Sequence, residues 1–269
     1  MSSYSAALDR RWTQLCRSQQ LARRSAMKRA GSSPMDALKD KIPDKVREKL
    51  EWAFCKGFGA VFEYGDAVIE KTIDSRGERR RFIARDLSFI MDGSSSSLSS
   101  FESSGLKSDG LNMLLTTVEG VGLGALGVGM PDIVLFVAML LRGVREAAAQ
   151  YGRDISSECE NMLMLHILEA AMLSGEAWVE KDTLVEKMLA EPDLVPKSPE
   201  EAEAQLERTA AVFATDLLVM KFIQGLPVVG LVGGLSNPFY YRKVLSYVRL
   251  KYERAYIREA MVRHEENMQ

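Results

Sequence analysis

Apolar residues recur at steps of three and four along almost the whole chain, a spacing that gathers them on one side of an α-helix but scatters them over both faces of a strand. Val46, Leu50, Phe54, Phe58, Val61, Phe62, Ile69 and Ile73 form one such stripe behind Pro43, a residue suited to a first helical turn. Ile155, Cys159, Met162, Leu163, His166, Ala170 and Leu173 form a second. Leu206, Ala210, Phe213, Leu217 and Met220 form a third, opened by Pro199 and a run of acids at the positive end of the helix dipole. After Pro238, residues Tyr241, Val244, Val248, Tyr252 and Ala255 share one face. No run alternates apolar and polar residues as a half-buried strand would. The reading is all-α, with helices near 43–73, 112–151, 156–173, 200–223 and 238–262.

Two breaks punctuate this pattern. Asp92 to Gly110 holds nine serines and three glycines, which reads as a flexible Ser-rich loop over 93–110. Ala190 to Ala202 has three prolines in eight residues and reads as a structured turn. Neither divides independent domains, so residues 43–262 are expected to form a single multi-helix domain. Residues 1–31 are the most separable segment, a basic amphipathic helix standing as an appendage. They carry seven basic residues against Asp9 alone, although the whole chain has a net charge of -2. That overall balance supplies no field for nucleic-acid phosphates, so no nucleic-acid partner is expected. The same Arg-rich, acid-poor start resembles a mitochondrial transit peptide, an ordinary helix lying on an acidic body, or a membrane-surface contact through Arg10, Arg11, Trp12, Arg17, Arg23 and Arg24. The first 30 residues lack an apolar core, so no cleavable signal peptide is read. Cys16, Cys55 and Cys159 are odd in number and scattered, which fits a reducing compartment such as the cytoplasm rather than a disulfide framework.

Two glycine-punctuated apolar segments, Glu119 to Leu141 and Phe222 to Pro238, are features that a generic helical domain does not need. Gly122-x-Gly124-x-x-Gly127 satisfies the dinucleotide-binding expression, but the sequence that follows is apolar and helix-like, without the second strand and acid that the site requires. Gly120, Gly124, Ala125 and Gly129 instead carry the small-residue spacing that lets helix backbones approach closely. Pro131-Asp132 divides the first segment and Gln224 and Asn237 bracket the second, leaving stretches shorter than the ~20 apolar residues of a membrane span. Two apolar helical hairpins are expected.

These residues resemble the EcsC family. The resemblance rests on Gly120-x-Gly122-x-Gly124 with Pro131-Asp132 and a helix ending Gln150-Tyr151-Gly152-x-Asp154. It rests also on Leu226-Pro227 through Gly230, Gly233-Gly234 and Asn237 with a helix ending near Tyr252-x-Arg254, and on Trp52 to Phe58 with Lys71-Thr72 upstream. It covers residues 45–260 and leaves 1–31 and the serine loop aside. The resemblance implies a helical protein with no settled activity, named from a bacterial operon that also encodes an ABC transporter. It therefore implies an accessory, transport-associated role near a membrane, and it supplies no catalytic residues.

The candidate chemistry is modest. His166-x-x-Glu169 has ferritin-like spacing, but a di-metal site needs two such motifs, so no metal is read; no cofactor is implied. There is no Gly-x-Ser-x-Gly elbow for a nucleophilic serine. Asp132 and Asn237 read as caps of the helices that follow them. Alternatively they converge with Glu119, Tyr151, Asp154, His166 or Arg242 in an apolar concavity able to take an amphiphile. Three functions stay open: a non-enzymatic accessory protein, cytoplasmic and peripheral at the inner face of a membrane or on a membrane complex; an intracellular carrier or sensor of a lipid-like ligand; and a hydrolase of unrecognised type.

Overall fold

The computed structural model describes residues 2–31, 43–72, 75–99, 101, 131–223 and 238–268. In chain order the helices are α1 (Ser3–Gly31), α2 (Asp44–Thr72), α3 (Ser75–Asp92), a short α4 (Ser95–Ser99), α5 (Pro131–Gln150), α6 (Glu158–Met172), α7 (Gly175–Ala190), a 3-10 turn (Pro192–Leu194), α8 (Pro199–Ile223) and α9 (Pro238–Met268). No strand occurs among the described residues, so the all-α reading holds.

Local signals place several of the ends. Ser198 accepts from the Glu201 backbone N–H at 3.1 Å while the Glu201 carboxylate accepts from the Ser198 N–H at 3.3 Å, a reciprocal capping box that starts α8. Ser157 caps α6 by accepting from the Glu160 N–H. At the end of α5, Gly152 has φ +80°, and the Gly152 and Arg153 N–H groups return to Ala149 and Ala148 at 3.1 Å each, the Schellman pattern that needs a left-handed residue. A Cβ at Gly152 would also lie 2.5 Å from the Phe82 ring.

The C-terminal helix α9 is the hub, packed against α1, α5, α6 and α7, while α2 packs on α5 and α8 and α8 on α6. Phe54 and Phe58 of α2 meet Phe213 of α8. Phe82, Phe101, Tyr151 and Tyr256 form a second aromatic knot. Three tyrosines of α9 each donate to a carboxylate on a different helix: Tyr247 to Asp182 of α7 at 2.6 Å, Tyr252 to Glu160 of α6 at 2.6 Å and Tyr256 to Asp86 of α3 at 2.8 Å. Buried hydroxyls and carboxylates that satisfy one another in this way fix the register of the bundle.

Three expectations change. Residues 1–31 do not stand apart: Ala7, Leu8, Leu15 and Ala26 of α1 are buried in the common core. The helices α3 and α7 were not expected from the apolar stripes. The start of the serine-rich stretch is structured, since α4 buries Leu98, and Phe101 packs in the second aromatic knot; residues 100 and 102–110 lie outside the described residues. So do 112–130 of the expected 112–151 helix and most of the second glycine segment.

Candidate functional site

The basic helix α1 lies antiparallel to α9. Arg11 pairs with Glu253 at 2.5 Å, Gln19 accepts from Lys251 at 3.0 Å, and Tyr4 packs at a tilt against His264 with ring centroids 5.2 Å apart. Trp12 is half-buried beneath two guanidinium groups of α9, with the Arg254 and Arg258 carbons 4.7 and 5.8 Å from its ring centroid. Arg11 and Trp12, expected to face a membrane, are thus turned towards the bundle, because α9 offers a carboxylate and cations that match them.

The outward face of α1 is different. At about 100° per residue, Arg10, Arg17, Leu21, Arg24 and Lys28 fall within an arc of about 60°, and all five are exposed. Arg10 donates to Ser95 at 3.2 Å. Arg23 is exposed on the flank. No acidic residue shares this face, which runs for about 27 Å at the α-helical rise. Leu21 and Lys28 were not singled out from sequence, though their spacing from Arg17 and Arg24 carries the signal.

Beneath α1, the α7 and α9 side chains form a buried charge network. Lys251, 0% exposed, is held by Asp182 at 2.5 Å and Glu186 at 2.8 Å. Glu186 also accepts from Arg254 and Arg258. Burial alone would raise the Glu186 pKa, but Lys251 and Arg254 outweigh it and hold the carboxyl at about 2. These charges are spent on one another and anchor α1, α7 and α9.

A cleft of about 800 Å³ opens between α1 and α9. Its floor includes Leu15, Ala22, Trp178, Tyr247 and Leu250, and the small Ser18, Ser25 and Ser246 keep it open. One end is closed by the Arg11–Glu253 pair. At the other, Lys243 lies 3.8 Å from Asp216, and Arg29 donates to the Leu173 carbonyl at 3.1 Å. Burial lowers the pKa of both Arg29 and Lys243, and Asp216 pulls each back up.

Of the residues expected to converge on a ligand, Tyr151 lines this cleft, buried and stacked 6.1 Å from Phe101. Asp154 is exposed and accepts from the Ser156 N–H at 3.2 Å. Arg242 is exposed on α9. His166 is buried in α6 with neither ring nitrogen bonded; burial, then Lys181 and Arg208, lowers its pKa to about 3. Its neighbour Glu169 is taken by Lys181 at 2.5 Å and Gln205 at 2.6 Å. Asp132 falls in the first turn of α5, one residue inside a helix that starts at Pro131, rather than before it. Glu119 and Asn237 lie outside the described residues, although α9 does begin at Pro238. Among the described residues no group of His, Cys, Asp and Glu could hold a metal ion, and no helix is long and apolar enough to cross a membrane.

A model of the EcsC protein family matches residues 10–255. The chain belongs to the EcsC family. No curated protein and no solved structure matches it. The EcsC match begins inside α1, so the basic helix from Arg10 onward and the serine-rich stretch belong to the matched region, which extends well upstream of the resemblance read over 45–260.

Proposed function

We propose that this EcsC-family protein is a non-enzymatic accessory protein that attaches reversibly to an anionic membrane surface, at the cytoplasmic face, beside a membrane complex that it serves. The observation that carries the reading is the outward face of α1, where Arg10, Arg17, Arg24 and Lys28 stand exposed without an acid among them. Near an anionic bilayer each such residue contributes on the order of 1 kcal/mol, so four together give about 4 kcal/mol, enough for reversible attachment. Arg11 and Arg29 are engaged with the bundle, through Glu253 and the Leu173 carbonyl, which holds the helix in place and leaves this face outward. The test is flotation of the full chain with phosphatidylcholine/phosphatidylglycerol vesicles, comparing the wild type with Arg17→Gln/Arg24→Gln/Lys28→Gln. The variant is expected to keep its fold and to lose most of its binding at low salt; equal binding by both would contradict the reading.

A second reading, a carrier or sensor of a lipid-like ligand, is supported by the α1/α9 cleft. Its size falls in the ~300–1,000 Å³ range of small-molecule sites, and an apolar floor ending at Arg29 and Lys243 suits a single-chain amphiphile with an anionic head. Native mass spectrometry of protein purified without detergent tests it: a bound acyl lipid that is lost in Ser25→Trp supports this reading, and an unliganded mass under gentle conditions opposes it.

A further inference from the structure

Helix α3 presents four large apolar side chains to solvent on one face: Ile83, Leu87, Ile90 and Met91 are 47, 53, 49 and 86% exposed. Isolated exposed apolar residues are ordinary, but a contiguous set on one helix marks an interaction surface. The spacing is that of a single stripe, because Arg76, Arg80, Ile83, Leu87 and Ile90 follow one another at steps of four, three, four and three. Arg79 and Met91 lie beside it. The stripe therefore begins with cations and ends with hydrocarbon.

The helix cannot turn this face inward. Its opposite side is fixed to the bundle by Phe89 against Tyr4, with ring centroids 4.6 Å apart, by Phe82 against Tyr256 at 5.9 Å, and by Asp86, which accepts from Tyr256 at 2.8 Å and from Arg263 at 3.2 Å. Gly93, with φ +60°, ends the helix so close to α1 that a Cβ there would lie 2.8 Å from the Tyr4 nitrogen. Nor do the arginines serve the helix itself. They crowd its N-terminal half, the end where the dipole disfavours cations, and its early acid, Glu78, is directed to Arg81 and Arg85 instead. Arg76, Arg79 and Arg80 are exposed and pair with no acid among the described residues.

We infer that the outward face of α3 is the part of the protein that enters the bilayer, with Ile83, Leu87, Ile90 and Met91 at the acyl boundary and Arg76, Arg79 and Arg80 among the phosphates of anionic lipids. The inference rests on the membrane reading above and assigns its apolar anchor: α1 supplies long-range attraction, and α3 supplies hold. A preformed helix with cations at one end of its outward stripe and apolar residues at the other dips its apolar end past the headgroups while the cations stay among the phosphates, without spanning the bilayer. It loses no ordering entropy on binding, since the fold has already formed it.

The experiment uses the full chain with phosphatidylcholine/phosphatidylglycerol vesicles. Leu87→Ser/Ile90→Ser is expected to unfold at the same temperature as the wild type, because both side chains are exposed. Its vesicle affinity is expected to be about 30-fold lower, from two apolar side chains that no longer leave water, and the fraction still bound at high salt should vanish. A tryptophan placed by Met91→Trp should be quenched by brominated acyl chains. Unchanged affinity of the serine variant, with binding still lost in the α1 variant, would overturn the α3 assignment and leave the membrane reading intact. Absence of binding by any form would sink both. A wild-type dimer that dissociates in the serine variant would give the face to a second copy of the chain and overturn the inference.

Discussion

His166 shows how a buried polar group can matter to stability without doing chemistry. Its imidazole is 4% exposed, unbonded, and held at a pKa of about 3 by burial, whereas in the unfolded chain it titrates near the ordinary ~6.5. Below that unfolded value the unfolded state binds a proton that the folded state refuses, so stability falls as pH falls from there towards 3. Between pH 7 and pH 5 the wild type is expected to lose about 2 kcal/mol more than His166→Leu, measured by urea denaturation at the two pH values. Equal losses would mean that His166 finds a partner in solution. Lys251 is the opposite case, a cation that the fold requires. Lys251→Met leaves Asp182 and Glu186 facing each other in the interior and should cost about 3–5 kcal/mol, read from the same denaturation curves. The Cys55 thiol, pushed up to about 11 by burial and then by Glu207 and Glu51, should alkylate far more slowly at pH 8 than a cysteine in a short peptide. Rapid labelling of Cys55 in the folded protein would contradict that environment.

At the scale of elements, the helices with uninterrupted apolar stripes were legible and those stabilised by long-range polar contacts were not. α2, α6 and α8 follow the stripes of Phe54, Leu163 and Phe213 to within a few residues at each end. α7 was missed because its inward side carries Asp182 between Trp178 and Val185, an acid that breaks the stripe and makes sense only once Lys251, 69 positions later, is beside it. α3 was missed for a related reason. Its inner side includes Asp86, and its apolar residues at 83, 87 and 90 point away from the core, so its stripe marks a surface rather than burial. In the candidate site, the positive charge of α1 was legible, but the division between inward Arg11 and Trp12 and outward Arg17, Arg24 and Lys28 depends on what α9 presents. The close approach of α5 and α9 gives a prediction at this scale: a Cβ at Gly143 would strike the Tyr241 hydroxyl and Leu245. Gly143→Ala should therefore destabilise by roughly 1–3 kcal/mol despite the better helix propensity of alanine; a stabilised variant in thermal denaturation would show that the two helices do not meet there. Likewise, deletion of residues 1–31 should abolish cooperative unfolding, since it takes Ala7, Leu8, Leu15 and Ala26 out of the core, and a truncated chain with a sharp transition would return α1 to the status of an appendage.

The whole molecule carries a net charge of only -2, so the proposed attraction to an anionic surface depends on how the charge is distributed. The outward cations of α1 and those of the first half of α3 are exposed, while Asp182 and Glu186 of α7 and Glu253 of α9 are drawn into ion pairs. Attraction of that origin reaches no further than the Debye length, about 10 Å at 0.1 M salt, and must weaken as salt rises. The most direct measurement is co-flotation of the intact, folded chain with phosphatidylcholine vesicles containing phosphatidylglycerol, against phosphatidylcholine alone, across a salt series. The account predicts flotation with the anionic vesicles at low salt, a steep fall as salt increases and little flotation with the neutral ones. Folded protein that stays at the bottom of the gradient with anionic vesicles at low salt would contradict it.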